Sequence, residues 1–193
     1  MRLMLVHAHP NPDSLTAAAR DAVLAGAARR GAKVRLVDLA AEGFDPRLTE
    51  AEHRAYASAE PAPDLRAHLE TLRWADTLIF TAPVWWGHMP ALLSGWAARV
   101  LRPGLGFEVR TGGRLHPLLA NVTTIGLVTS TGAPEIYWRV WRRSPERGFV
   151  TAIAPCFHPR ARRMHLALHG VDAKTPAQRA QWLAHVSKRI ETA

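Results

Sequence analysis

Residues 76–107 read DTLIFTAPVWWGHMPALLSGWAARVLRPGLGF, a buried strand, a tight loop and an amphipathic helix in that order. Thr77, Leu78, Ile79 and Phe80 form a short run of β-favouring residues between Asp76 and Pro83. Pro90 suits a first helical turn, and Leu92, Leu93, Trp96, Val100 and Leu101 recur at helical spacing. Pro103-Gly104 ends the helix. The loop between carries Pro83, Trp85, Trp86, Gly87 and His88. It follows the carboxyl end of a strand, where open α/β sheets bind ligands. Successive side chains of an extended chain point opposite ways, so at least one tryptophan should leave the sheet core. Packing of both indoles between helix and sheet is the simpler alternative. The Pro/Gly frame instead favours a stiff platform for a flat aromatic ligand.

The same design recurs on either side. Arg2 to Ala8 reads as an apolar first strand. The loop His9-Pro10-Asn11-Pro12-Asp13-Ser14-Leu15-Thr16 follows it, and an alanine-rich helix then runs to about Arg30 behind Asp13 or Ser14 as cap. A polar loop entering a helix N-terminus offers free N–H groups to an anion. GxGxxG and the P-loop pattern are both missing, so neither a Rossmann dinucleotide site nor a nucleotide triphosphatase is indicated. Lys33 to Asp38 is the second strand, with Arg35 placing it near an edge. Pro46, Pro61 and Pro63 confine helix in residues 40–62 to a short piece from Leu48 to Ala57 behind Thr49. Asp64 to Trp74 forms another helix.

Phe107 to Asn121 is an excursion, and Val122 to Val128 is the fourth strand, ending in Thr129-Ser130-Thr131-Gly132-Ala133-Pro134. Glu135 to Arg147 should be helical up to a break at Pro145, with Tyr137, Trp138 and Trp141 giving it aromatic weight. Phe149 to Phe157 is a further helical segment, and Arg162 to Leu168 is the fifth strand. Thr175-Pro176 starts a last helix through Ile190, with Leu183, Val186 and Ile190 inward. The whole of 1–193 reads as one α/β domain. It is a doubly wound, five-stranded parallel sheet of order 2-1-3-4-5 with helices on both faces. In that order the loops after strands one, three and four meet at one crevice.

Composition narrows the setting. The chain has 193 residues, 48% hydrophobic and 21% charged, as expected of an ordinary globular domain. Its single cysteine, Cys156, excludes an internal disulfide and fits a reducing compartment. No metal-ligand spacing surrounds it. MRLMLVHA is too short for a signal segment, and no apolar run reaches the length of a membrane span. A cytoplasmic location is expected. The net charge is +9, but the arginines are scattered and carry no nucleic-acid motif, so a solvated basic surface is expected.

With these loops in place, the sequence resembles the flavodoxin-like NAD(P)H:quinone oxidoreductases of the DT-diaphorase and drug-activity-modulator type. The resemblance spans essentially the whole chain. It is carried by HPNPDSLTAAA, by ADTLIFTAPVWWGHMPALLSGWAARVL and by VTSTGAPEIY. It implies a homodimer that binds FMN or FAD and moves hydride from NAD(P)H to a quinone-like acceptor by ping-pong exchange. His9, Ser14, Leu15 and Thr16 would surround the ribityl phosphate. Pro83, Val84, Trp85, Trp86 and Gly87 would line the isoalloxazine edge, Trp86 matching the tryptophan usual in the family. Thr131, Gly132 and Tyr137 would reach the other side of the ring. Tyr137, His88 and His158 are candidate proton donors, with Tyr137 first and His158 beside it as a catalytic residue. The helix bearing Trp138 and Trp141 would face the second subunit.

Two departures stand out. Ser130-Thr131-Gly132-Ala133 replaces a TTGG-type loop, and Trp138 follows the tyrosine where the family commonly continues to a histidine. The long C-terminal extension of larger relatives is also missing, which leaves FMN and FAD both open. An ancillary subunit of a potassium-efflux system is the alternative function, and a crevice without flavin is the third reading.

Overall fold

The computed structural model describes residues 1–140 and 145–193. Its centre is a parallel sheet of β1 (Arg2–His7), β2 (Lys33–Asp38), β3 (Thr77–Pro83), β6 (Thr124–Thr131) and β7 (Arg162–His169). They lie in the order β2-β1-β3-β6-β7, which is 2-1-3-4-5 when the sheet strands are counted in turn. The middle strands β3 and β6 are buried along their whole length, as expected when helices cover both faces. β2 is an edge strand with a largely exposed pattern.

Two apolar layers flank the sheet. On one face α1 (Leu15–Arg29) and α7 (Pro176–Glu191) pack over Leu3, Leu5, Ile79 and Val128. Gly26 lets these helices touch: a Cβ there would stand 2.3 Å from the carbonyl oxygen of Ser187. On the other face, α3 (Arg66–Trp74), α4 (Ala91–Val100) and α6 (Pro145–Ile153) cover Val6, Phe80 and Leu127, with Trp96 fully buried. Ser14 caps α1 by accepting from the N–H of Ala17. Thr49 with Glu52, and Thr175 with Gln178, form capping boxes on α2 (Glu50–Arg54) and α7.

The structure adjusts four expectations. β3 continues three residues past Phe80 because β6 runs beside it as far as Ser130. The excursion after α4 holds a two-stranded antiparallel ribbon, β4 (Phe107–Val109) with β5 (Leu115–Pro117). Helix α5 spans Glu135–Val140, and α6 starts at Pro145 rather than Phe149; proline fits a first helical turn, where its missing N–H costs nothing. Trp141, expected on the dimer-facing helix, and Arg142 and Arg143 lie outside the described residues.

Two buried arginines on or just past α4 shape the irregular segment 40–64. Arg99 is 4% exposed and reaches Glu52 and Asp64, each at 2.8 Å, and the carbonyl of Asp45 at 2.7 Å. Arg102 donates to the carbonyls of Ala55, Tyr56, Ser58, Pro103 and Glu60. Nearby, His68 stands between two partners, 2.9 Å from a Glu42 carboxylate oxygen and 3.1 Å from the indole Nε1 of Trp96. An indole N–H only donates, so Nδ1 of His68 is the acceptor and its Nε2 carries the proton toward Glu42.

Candidate functional site: a crevice at the carboxyl ends of the strands

The loop after β3 is a miniature hairpin. Trp85 and His88 exchange both backbone hydrogen bonds, at 3.0 and 2.9 Å. The two residues between them, Trp86 and Gly87, have φ of 52° and 75°. Two positive φ values in a two-residue hairpin loop are the mark of a type I′ turn. Glycine takes this conformation freely, but tryptophan does not. The turn drives Trp86 fully into solvent (99% exposed) and leaves Trp85 46% exposed. Neither indole fills the core.

Neighbouring loops close on this turn. The His9 ring meets the Trp85 ring edge-on at a centroid distance of 5.5 Å, joining the first loop to the second. Val84 donates its N–H to Ser130 at the end of β6, and Gly170 after β7 donates to Ala133. Trp138 of α5 lies against Gly87, about 3.8 Å from where a Cβ would sit. Tyr137, 47% exposed, stacks edge-to-face on Trp138 at 4.9 Å. The sheet ends thus bring His9, Ser14, Leu15, Thr16, Pro83–Gly87, Thr131, Gly132 and Tyr137 to one side of the molecule.

His158 is not among them. It precedes β7, donates its N–H to the carbonyl of Val122 at the entrance of β6, and accepts from the N–H of Arg160 at Nδ1. That is the amino-terminal edge of the sheet, opposite the crevice. Its assignment as a proton donor is corrected on that ground. His88 sits beside the turn and helps line a cavity of about 800 Å³. Gly87, Met89 and Ser94 lie on one side of this cavity, and Arg147, Phe149 and Ala152 on the other.

The donors present fit a phosphate with a flat ring beyond it. Leu15 and Thr16 are the first residues of α1, so no carbonyl one turn back within the helix accepts their N–H groups. The Leu15 side chain packs into the α1–α7 layer, which leaves only its backbone for a ligand. The Ser14 hydroxyl accepts from Ala17 and keeps its own proton to donate. Gly132 presents bare backbone: a Cβ there would lie 2.7 Å from the Asp172 carboxylate. The exposed indoles supply the apolar wall.

Three features escaped the sequence reading. His7, the last residue of β1, is buried and holds Thr81 Oγ1 at 2.9 Å from its Nδ1. Burial drives its pKa down to about 4, against the opposing pull of Asp38. The others are Arg99 and Arg102, on and just past α4, and the turn itself. Among the described residues no group of histidine, cysteine, aspartate or glutamate is arranged to hold a metal. No helix there is long and apolar enough to cross a membrane. Cys156 is buried, and its thiol pKa is pushed up to about 12 by desolvation.

Fold and crevice together define a flavodoxin-like protein. The family of flavodoxin-like fold matches residues 1–188, and the chain belongs to it. Among curated proteins, it is 28% identical over 166 residues to human ribosyldihydronicotinamide dehydrogenase (quinone), covering 77% of this chain and 71% of that one. Among solved structures, it is similar to the NAD(P)H:quinone oxidoreductase from Methanothermobacter marburgensis. That similarity has a TM-score of 0.84 at 19% identity, over 99% of this chain and 98% of the other. It is also similar to an FMN-dependent NADH-azoreductase from Bacillus anthracis in complex with FMN. There the TM-score is 0.74 at 12% identity, over 99% and 98% of the two chains.

Proposed function

We propose that this protein is a flavin-dependent NAD(P)H oxidoreductase that reduces quinones or similar acceptors. The observation that carries this reading is the Trp85–His88 turn, which raises an aromatic shelf beside an anion-receiving helix start. Bound flavin, with FMN the first to try, would supply the two-electron chemistry by accepting hydride from NAD(P)H and passing it to the acceptor.

The chain's own part is binding and polarisation. Leu15 and Thr16 N–H groups, the Ser14 hydroxyl and His9 would hold the phosphate, aided by the positive end of α1. Pro83 to Gly87 would flank the ring on one side and Thr131-Gly132 on the other. Backbone donors in these loops would stabilise negative charge developing on the ring. Tyr137 would deliver a proton from its phenol to the acceptor oxygen, with His88 as the second candidate. One open face used in turn by donor and acceptor leads to ping-pong kinetics. The proposal includes a homodimer in a cytoplasmic setting. Ile136 (62% exposed) and Val140 (69%) on α5, and Trp86 on the turn, are exposed apolar side chains available to a second subunit.

The test is an absorbance spectrum of the purified protein before and after adding FMN, then NADPH or NADH without oxygen. Flavin bands that bleach on adding the nucleotide and return with quinone support the reading. Bands that persist would leave a flavin-binding regulator, and no bound flavin at all would sink the proposal.

A further inference from the structure

His7 ends β1 on the α1 side of the sheet, and the chemistry proposed above makes no use of it. An imidazole that is 1% exposed must satisfy its nitrogens within the protein. Its Nδ1 bonds to Thr81 Oγ1 at 2.9 Å. Thr81 is the residue beside it on β3 and is itself wholly buried. Backbone bonds seal the same level: Leu39 donates to the His7 carbonyl and Ala8 to the Thr81 carbonyl, both at 3.0 Å.

This pair is the lower rung of a two-rung tie. In an extended chain, residues two apart face the same way. Two residues beyond His7, the His9 ring meets Trp85; Trp85 lies four residues beyond Thr81. The upper rung joins a half-buried His9 ring to a Trp85 ring that is 46% exposed; the lower one is a directional bond in a packed layer, which sets the spacing.

We infer that His7 is a positioning residue for the crevice, fixing the phosphate loop after β1 against the tryptophan turn after β3. The inference rests on the flavin reading of that crevice. The groups facing His7 are Asp38 across on β2 and Arg20 on α1, which bridges Asp38 at 3.2 Å and Asp21 at 2.8 Å, with His9 above. Burial outweighs the attraction of Asp38, so the ring is neutral above a pH of about 4. The tie is therefore a neutral hydrogen bond, insensitive to salt.

FMN titrations followed by flavin fluorescence, with NADH kcat and KM, test this on wild type and on His7→Leu, Thr81→Val, Thr81→Ser and the Leu/Val double variant. His7→Leu and Thr81→Val should each weaken FMN binding about tenfold, as expected for losing one buried hydrogen bond. Thr81→Ser, which keeps the hydroxyl, should stay within about twofold of wild type. The double variant should bind no worse than the weaker single one, because both remove the same bond. His7→Asn offers a second polar partner for Thr81 if the leucine variant fails to fold.

Wild-type FMN affinity in His7→Leu overturns the inference, and so do losses that multiply in the double variant. A lowered melting temperature of the flavin-free protein with unchanged FMN affinity would assign the pair to packing alone, which also overturns it. A wild-type protein that binds no flavin is a different failure. It removes the functional reading first, and this inference with it.

Discussion

Trp85 and His88 are locked as a hydrogen-bonded pair, and that lock forces the first of the two residues between them, Trp86, to a φ of 52°. A bulky side chain at positive φ is strained by about 1–2 kcal/mol. Asparagine is the residue such a turn prefers. Trp86→Asn should therefore stabilise the flavin-free protein by about 1 kcal/mol, a rise of a few degrees in melting temperature. The same change should lower quinone turnover (kcat/KM) by about tenfold, since it removes the shelf, a stability gain set against function. Thermal melts and steady-state assays on one preparation check both halves; a variant neither more stable nor less active contradicts the account of the turn.

Acid should weaken the fold through His7. Its pKa is about 4 folded and 6.5 in the unfolded chain. Between those values the unfolded state binds the proton and the native state does not, so stability falls as pH drops from 6.5 toward 4. Above 6.5 both forms are neutral and the group contributes no slope. Urea unfolding across this window should show a pH slope that His7→Asn reduces. Equal slopes in the two proteins would contradict the buried neutral ring.

Arg99 predicts a second acid limb at lower pH. Burial alone would raise the Glu52 pKa, but the Thr49 N–H and the Arg99 guanidinium more than reverse this and hold it below 4.5. A depressed carboxylate pKa stabilises the fold above the unfolded value, and the benefit is lost as pH falls through the folded one. Arg99→Ala should cost about 3 kcal/mol at neutral pH, because it strands a largely buried carboxylate. Arg99→Lys should recover only part, since a single ammonium cannot span Glu52, Asp64 and the Asp45 carbonyl. Denaturation midpoints of the three proteins decide the point, and a harmless Arg99→Ala would refute it.

Gly26→Ala sets two effects against each other. Alanine favours helix over glycine by about 1 kcal/mol. The added Cβ would lie 2.3 Å from the Ser187 carbonyl oxygen, on a backbone that cannot swing aside. Overpacking of this kind costs about 1–3 kcal/mol and here wins, for a net loss of about 1 kcal/mol. A more stable Gly26→Ala protein would show that α1 and α7 separate freely.

The inner strands β1, β3 and β6 were legible because each is a largely apolar run bounded by polar or turn residues, and β2 and β7 because apolar and polar residues alternate along them. Their order followed from parallel pairing and right-handed crossovers. The crevice was legible for the same reason, since loops after parallel strands share one side of the sheet. His158 was misplaced because it precedes its strand, where Thr131 ends its own and Trp85 follows its own. His7 was hidden inside an apolar run, with no local sign that Thr81, 74 residues away, would meet it. The β4–β5 ribbon has strands of three residues, too short for alternation to register. Positive φ at Trp86 has no propensity signal, because the turn is imposed by the bonds on either side.

Arg102 carries a different consequence. It holds its neighbours entirely through main-chain carbonyls, from Ala55, Tyr56, Ser58 and Glu60. Such a grip is blind to side chains. The path of residues 55–60 is written in the residue just past α4 rather than in their own letters, and that stretch is free to change its letters as long as Arg102 stays.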